Sequence, residues 1–231
     1  MWCFKKFFYT PPPLPTRSED FSDYRAWFLH AVKFTNAQGF KVAKPNWLSS
    51  PISESDDFLE RALLTAGVSD ASKSAFQCLK WSHFLAPHIE ASLGRKVYIT
   101  IGQLWNGDKA AFDPSWGDLR RWCKRGISLA DISSQGRQGI NLHVWLTVES
   151  GQIIDVSLPS SLARIFPDKE YGKYLGAMIW GNPPQMYGDY FYLPMAVGSG
   201  FAEAIGSCSE LKLIARNSNE LNEYQYAFVR N

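Results

Sequence analysis

Apolar positions recur at helical spacing over most of the first ninety residues. One apolar stripe starts near Phe21 and fades by Gly39, and a second follows a capping-box-like start at Ser53 and stops at Gly67. We expect a helix at each stripe. Before them, residues 1–17 should form an extended arm, because their proline run enforces polyproline geometry.

A third helical stripe begins at Asp70, or nearer Ala75, and ends at Gly94. Pro87 should kink this helix or end it early, because proline lacks the N–H that the helix needs and its ring clashes with the preceding turn. Cys78 therefore falls within the first turns of a helix or just before them.

The apolar period then changes from 3.6 to 2. Residues 97–105 are rich in β-formers, and residues 140–148 alternate between an apolar face and a face made of Asn141, His143, Trp145 and Thr147. Between them, Asp113-Pro114 predicts the start of a short helix that Gly126 ends. The remaining predicted elements are a return strand at 152–158, a short helix at 201–205, and strands at 175–180, 190–197, 211–215 and 224–229.

Helices come first and mostly antiparallel strands follow, which favours the α+β class. We expect a helical N-terminal lobe packed on an antiparallel β-sheet. The 231 residues suit one large domain or two small ones, and no repeat or linker follows residue 17. The interpretation is a single α+β domain over residues 18–231.

The composition is that of an ordinary globular protein, with 45% hydrophobic and 20% charged residues. The net charge is +2, and the densest basic run, residues 120–125, would spread around much of a helix. A nucleic-acid partner is not expected, because it would need clustered positive charge. No apolar run reaches the roughly 18 residues that a membrane span needs, so no membrane partner is expected either.

The four cysteines, at positions 3, 78, 123 and 208, are far apart and lack CxxC spacing. This pattern indicates free thiols in a reducing compartment rather than a disulfide framework. Lysines and prolines interrupt the N-terminal apolar run, so no signal peptide is expected. We infer a cytoplasmic protein, or one made in a cytoplasm and delivered to another compartment.

The turn at Glu149-Ser150-Gly151 decides which side chains share a face of the predicted hairpin. If it is a three-residue loop with its glycine in the left-handed region, Val148 pairs with Gln152. His143 and Asp155 are then diagonal neighbours, about 7–8 Å apart at the backbone and within reach of an imidazole–carboxylate hydrogen bond. A two-residue turn would move Asp155 to the opposite face.

Thiol catalysis needs a stabilised thiolate, a histidine that shuttles its proton and a group that orients the histidine. Cys78 near a helix N-terminus, where the helix dipole favours an anion, and the pair His143–Asp155 meet these needs. A lone cysteine on an apolar helical face is more often a small core residue, and a lone strand histidine or aspartate is more often a surface group. The hypothesis of a Cys–His–Asp triad therefore rests on their combination.

The order Gln77-Cys78, then His143-Val144-Trp145, then Asp155 shortly after a turn resembles the transglutaminase-like branch of the papain-fold cysteine enzymes. Members of that family pair a cysteine at a helix start with histidine and aspartate on adjacent antiparallel strands. The resemblance covers about residues 70–160. The chain departs from the family at Phe76 and Leu79, because a glycine and a tryptophan commonly flank the family's cysteine.

The resemblance implies a papain/transglutaminase-like core and a thiol hydrolase or acyltransferase of the peptidase, amidase, deamidase or transglutaminase type. It implies Cys78 as nucleophile, His143 as proton shuttle and Asp155 as orienting group. The backbone N–H of Cys78 would donate to the oxyanion, and the expected oxyanion and substrate residues are Gln77, Trp81 and Trp145. A protein or peptide-like substrate is expected, with no metal or organic cofactor.

Two other groups of residues compete with the triad less well. His83 and His88 are five residues apart without nearby partners at metal-ligand spacing. Cys123 lies among basic residues that would lower the pKa of an exposed thiol, but no strand histidine is placed to accept its proton.

The rival class of function is a non-catalytic protein-binding module on the same scaffold, which predicts an inert, buried Cys78 and an exposed apolar patch elsewhere.

Overall fold

The computed structural model describes residues 9–17, 23–53, 57–133, 139–167, 170–182, 190–207 and 210–223. Within these ranges the helices are α1 (Tyr24–Ala37), α2 (Asp57–Thr65), α3 (Cys78–Leu93), α4 (Trp116–Arg125), α5 (Leu129–Ser133), α6 (Leu158–Ile165), α7 (Ser199–Ile205) and α8 (Ser218–Asn222). Two 3₁₀ turns lie at Ala71–Ser74 and Glu170–Tyr174. The strands are β1 (Val97–Asn106), β2 (Lys109–Phe112), β3 (His143–Val148), β4 (Ile153–Asp155), β5 (Ile179–Gly181) and β6 (Tyr190–Val197).

The six strands of the described residues form one sheet in which every pairing is antiparallel. The long strand β1 is its centre, because it pairs with β6, with β3 over residues 97–102 and with β2 over residues 104–106. From β3 the sheet continues through β4 to β5. The predicted α+β class with an antiparallel sheet is confirmed.

The two faces of the sheet are buried in different ways. Val144, Leu146 and Val148 of β3 belong to the main hydrophobic core, together with apolar residues of α2, α3, α4 and α7. Trp145 points to the opposite face, into a second cluster with Leu158 and Leu162 of α6. All six residues of β3 are therefore buried, whereas strict alternation with polar residues suggested a solvated face. The helix α6, which the sequence pattern did not predict, supplies the extra cover.

The helix predicted from Phe21 to Gly39 is confirmed as α1, which Asp23 caps by accepting a hydrogen bond from Ala26 N. The helix predicted after Asp113 is confirmed as α4, but its cap is different. Ser115 and Asp118 form a reciprocal capping box, so the helix starts two residues later than the Asp-Pro pair indicated.

The third predicted helix begins later than expected, at Cys78 itself. Asp70 instead caps the 3₁₀ turn, accepting a hydrogen bond from Ser72 N, and Phe76 has a φ of 61° that no helix can contain. Of the two outcomes predicted for Pro87, an early end of the helix is wrong, since α3 continues to Leu93, and a kink stays a prediction. Buried apolar residues on both sides of the proline, such as Leu85 and Ile89, hold the helix against the core.

The predicted hairpin register is confirmed. Gly151 has a φ of 85°, and Val148 N donates to Gln152 O at 2.8 Å across the three-residue loop. The pairs Leu146–Ile154 and Thr147–Ile153 continue the same register along β3 and β4. His143 and Asp155 consequently project from the same face of the sheet.

The predicted strands at 190–197 and the helix at 201–205 are confirmed as β6 and α7, and the strand expected from residue 175 begins only at Ile179. The strand predicted at 211–215 is wrong: this segment pairs with no strand of the described residues and packs Leu211 and Ala215 into the core. The strand predicted at 224–229 and part of the capping box predicted at Ser53 lie outside the described residues.

Residues 9–17 of the predicted arm have no helix or strand and pack against two helices. The hydroxyl of Tyr9 hydrogen bonds with His30 Nδ1 of α1 at 2.6 Å, and Trp116 Nε1 of α4 donates to Pro12 O at 3.0 Å. The division into an arm and a domain over 18–231 stays a prediction. In the part of the chain that the structure describes, no helix is both long and apolar enough to cross a membrane.

A close approach of two strands requires glycine at position 102. A Cβ atom there would lie 1.9 Å from Leu193 O and 3.1 Å from the Trp145 ring. We expect Gly102→Ala to lower the free energy of unfolding by about 3 kcal/mol, because β1 and β6 would have to separate. Urea unfolding checks this, with Gly139→Ala as control, since a Cβ atom at Gly139 meets nothing within 4 Å. Equal losses in the two variants would contradict the packing described.

Candidate active site

Cys78 is the first residue of α3, and its thiol is half-buried. Its Sγ lies 4.0 Å from the carbonyl oxygen of Leu142, the residue before the strand histidine. The cap residue Gln77 makes no side-chain hydrogen bond to the first turn, so the N–H groups there keep their capacity to donate. A helix N-terminus of this kind favours negative charge beside it.

His143 and Asp155 form a buried pair on the sheet face opposite the main core. Nε2 of His143 lies 2.5 Å from Oδ2 of Asp155, and only 3% of the histidine and none of the aspartate is exposed. The side chain of Cys78 contributes to the raised pKa of His143, so the sulfur lies near the imidazole. Because Asp155 engages Nε2, Nδ1 is the ring nitrogen that remains for the thiol. The structure therefore brings together the three residues that the sequence singled out.

Asp155 is held as a carboxylate by donors from three elements. Oδ2 accepts hydrogen bonds from His143 and from the Tyr192 hydroxyl, the latter at 2.9 Å. Oδ1 accepts from the backbone N–H groups of Ser157 and Leu158, both at 3.0 Å. These N–H groups belong to the start of α6, so Asp155 caps that helix in place of Ser157, whose side chain does not.

Three aromatic rings surround the imidazole of His143. The Phe112 ring stacks on it at a centroid distance of 5.6 Å, and the Trp145 ring stacks at 6.0 Å. Tyr192 is tilted against the same imidazole at 6.0 Å. The Trp145 indole is fixed in turn, since its Nε1 donates to the Tyr24 hydroxyl at 2.8 Å. The histidine has little freedom to rotate away from Asp155.

In the His143–Asp155 pair, each residue stabilises the charged form of the other. Burial by itself disfavours the imidazolium, but the Asp155 carboxylate and its hydrogen bond outweigh burial and raise the pKa of His143 to about 10. Burial likewise disfavours the Asp155 carboxylate, yet His143 and the α6 N–H groups keep the pKa of Asp155 below its usual value. Burial and the neighbouring carboxylate raise the pKa of Tyr192, which stays a phenol and a donor.

The further residues expected at the oxyanion and substrate site have different positions. Gln77 lies next to Cys78, and its Nε2 donates to Lys73 O at 2.8 Å. Trp81 is fully buried in the main core, so a substrate could reach it only if the core opened. Trp145 is also fully buried and lies against His143, where it can position the imidazole but not touch a substrate.

The competing thiol, Cys123, lies on α4. Burial raises its pKa more than Lys124 lowers it, so the basic neighbours do not activate it as they would an exposed thiol. Cys78 and Cys123 are both free, whereas Cys3 and Cys208 lie outside the described residues. Among the described residues, no group of three or more His, Cys, Asp or Glu side chains is arranged to hold a metal ion.

Sequence reasoning missed Phe112, Tyr192 and the α6 donors, although each had a signal. Gly107-Asp108 is a common type of two-residue hairpin loop, and it predicts the strand β2 that carries Phe112. Pro159 near the start of α6 is typical of a helix N-terminus. Tyr192 stands in an aromatic strand that the sequence favours as core, with a wall of the substrate cleft as the alternative.

The raised pKa predicts that the imidazole of His143 stays protonated at pH 8 and titrates near pH 10. ¹⁵N NMR of the histidine side chains measures this directly. His30 is an internal control, because burial and Lys33 lower its pKa below the ordinary 6.5. Asp155→Asn should bring the pKa of His143 down by several units. A neutral His143 at pH 7 in the wild-type protein would contradict the charge pair.

The same shifts predict how stability depends on pH. The pKa of His143 is higher in the folded state than its ordinary 6.5, so its contribution is complete below pH 6.5 and is lost as the pH rises to about 10. Asp155, with a lowered pKa, contributes above its usual value of 3.8 and loses this contribution in acid. Urea unfolding at pH 6.5 and 10 should show a larger loss in the wild type than in His143→Gln. Equal losses would show that His143 does not bind an extra proton in the folded state.

Comparison with protein-family models, curated proteins and solved structures gave no match. The resemblance to transglutaminase-like enzymes therefore depends on the residues of this chain and on their arrangement.

Proposed function

We propose that the protein is a thiol hydrolase or acyltransferase in which Cys78, His143 and Asp155 act on an amide, thioester or related acyl bond. The observation that carries the proposal is a charged imidazole–carboxylate pair buried beside a thiol at the start of a sixteen-residue helix. A buried ion pair adds little to stability once both charges are desolvated, and such pairs with perturbed pKa values cluster at functional sites.

In the proposed reaction the thiolate of Cys78 attacks the acyl carbon, and His143 holds the proton that the thiol has lost. The bond to the leaving group breaks, and the departing amine, alcohol or thiol takes that proton from His143. Water or an amine then attacks the thioester, gives a proton to His143 and releases the Cys78 thiolate. Asp155 stays ionised throughout and keeps the imidazole oriented.

The oxyanion of the tetrahedral intermediate would form beside the first turn of α3. Backbone N–H groups at a helix N-terminus have no partner within the helix, and that of Cys78 is the nearest to the reacting sulfur. Gln77 is the neighbouring side chain, and one of its amide N–H groups already bonds to Lys73.

A papain/transglutaminase-like core is part of the proposal. Three features support it: the cysteine is the first residue of a helix, the histidine and aspartate lie on adjacent antiparallel strands, and the segment between them includes the strand β1. Phe76 adds a fourth. It takes a left-handed conformation at a position next to Gln77 where the family commonly has a glycine, the residue that adopts this conformation without strain.

The alternative is a non-catalytic module that binds a protein partner. Exposed Phe76 and Leu175 favour it, because large exposed apolar side chains often mark binding surfaces. However, this module would have an inert, buried Cys78 with its apolar patch elsewhere. Cys78 is half-buried, and Phe76 is two residues from it. Of the two exposed residues that suggest binding, Phe76 is thus close in the chain to the proposed nucleophile.

Alkylation of the native protein with iodoacetamide from pH 5 to 9, read by peptide mass spectrometry, tests the proposal. We expect Cys78 to react at pH 6 about tenfold faster than Cys123, because the thiolate is the reactive form and His143 is a cation beside it. His143→Ala should remove this advantage and restore the pH dependence of an ordinary thiol.

His88→Ala is the matched control, since His88 lies on α3 far from Cys78 and should leave the rates unchanged. If Cys78 is protected, or labels with the same pH dependence with and without His143, the triad is wrong. The binding module is then the better account.

A further inference from the structure

Phe76 combines two unfavourable features at one position. Its φ of 61° is the only positive φ of a non-glycine residue in the described ranges, and a bulky side chain is disfavoured there. The residue is 62% exposed, so core packing does not compensate for the backbone strain. Strain of this kind that persists beside a reactive group is characteristic of a ligand-binding position.

The strained residue is tied to the helix that holds the triad aspartate. Phe76 N donates to Ser161 Oγ on α6 at 2.9 Å, and the Ser161 hydroxyl donates to Ser157 O at 2.8 Å. Asp155 caps the same helix through the N–H of Ser157. Phe76 is thus fixed between the start of α3, where Cys78 lies, and the start of α6.

A cavity of about 590 Å³ opens at this junction. Its lining residues are Phe76, Ala163, Arg164, Pro167, Gly172 and Leu175. The cavity is open to solvent over much of its extent. One of its lining residues, Phe76, is two residues before Cys78 in the chain.

The surface around the cavity is unusually apolar. Six large hydrophobic side chains are exposed in the described residues, and four of them line or adjoin the cavity: Phe76, Ile165, Phe166 and Leu175. The exposed apolar side chains favour an uncharged apolar group as the occupant of the cavity.

We propose that this cavity binds an apolar side chain of a peptide acyl donor, within two residues of the carbonyl that Cys78 attacks. This inference rests on the proposed function and specifies its substrate class. Binding would bury the Phe76 ring and the Leu175 side chain, which accounts for their exposure in the free protein.

The probes are three dipeptidyl chloromethyl ketones, N-acetylated Gly-Gly, Leu-Gly and Gly-Leu, which alkylate a thiol as the sulfur displaces chloride. The readout is the ratio of the Cys78 alkylation rates for a leucyl probe and the diglycyl probe. We expect a ratio of about ten for the better leucyl probe in the wild type. Phe76→Asn, which tolerates the left-handed conformation, and Leu175→Ser on the opposite wall should each lower it at least threefold.

Leu64→Ser is the control, because Leu64 is 80% exposed on α2 and should leave the ratio and both rates unchanged. If His143→Ala slows alkylation by the diglycyl probe but the leucyl probes gain no advantage, the subsite is wrong and the triad stands. A leucyl advantage that survives both Phe76→Asn and Leu175→Ser also overturns the subsite. If the diglycyl probe alkylates Cys78 no faster with His143 than without it, the proposed function and the subsite fail together.

Discussion

A carboxylate with no exposed surface would cost several kcal/mol if it lacked donors, so the structure around Asp155 has to supply them. Five donors do so: the His143 imidazole, the Tyr192 hydroxyl, the two backbone N–H groups at the start of α6 and, at 3.5 Å, the Ser157 hydroxyl. They come from β3, β6 and the segment after β4. Satisfying one buried charge therefore fixes three parts of the chain relative to one another.

The same constraint sets the chemistry of the proposed site. A carboxylate held in its ionised form raises the pKa of His143, and stacking on Phe112 and Trp145 keeps the ring facing it. The remaining ring nitrogen is left for Cys78, at the positive end of α3. Catalysis by a thiol needs this preorganisation, whereas core packing would be served as well by apolar residues.

The sequence predicted the core of the site because its geometry is local. Glycine at the third position of the turn sets which residues of β3 and β4 pair. Because side chains alternate between the two faces of a sheet, this register places His143 and Asp155 on one face. The conformation of Phe76 could not be predicted, since a hydrogen bond that its N–H donates to a residue 85 positions away helps to hold it. The segment at 211–215 has strand-like residues but pairs with no strand among the described residues. Strand pairing depends on contacts between distant parts of the chain, which a local pattern does not predict.

The most direct measurement is the reaction of the protein with p-nitrophenyl acetate, followed as a burst of p-nitrophenol and by peptide mass spectrometry. The account predicts a stoichiometric burst, an acetyl group on Cys78 and slow turnover by water, with the burst lost in Cys78→Ser and slowed at least about a hundredfold in His143→Ala. An acetyl group on Cys123 or on lysines instead, or a burst that does not depend on His143, would contradict the triad.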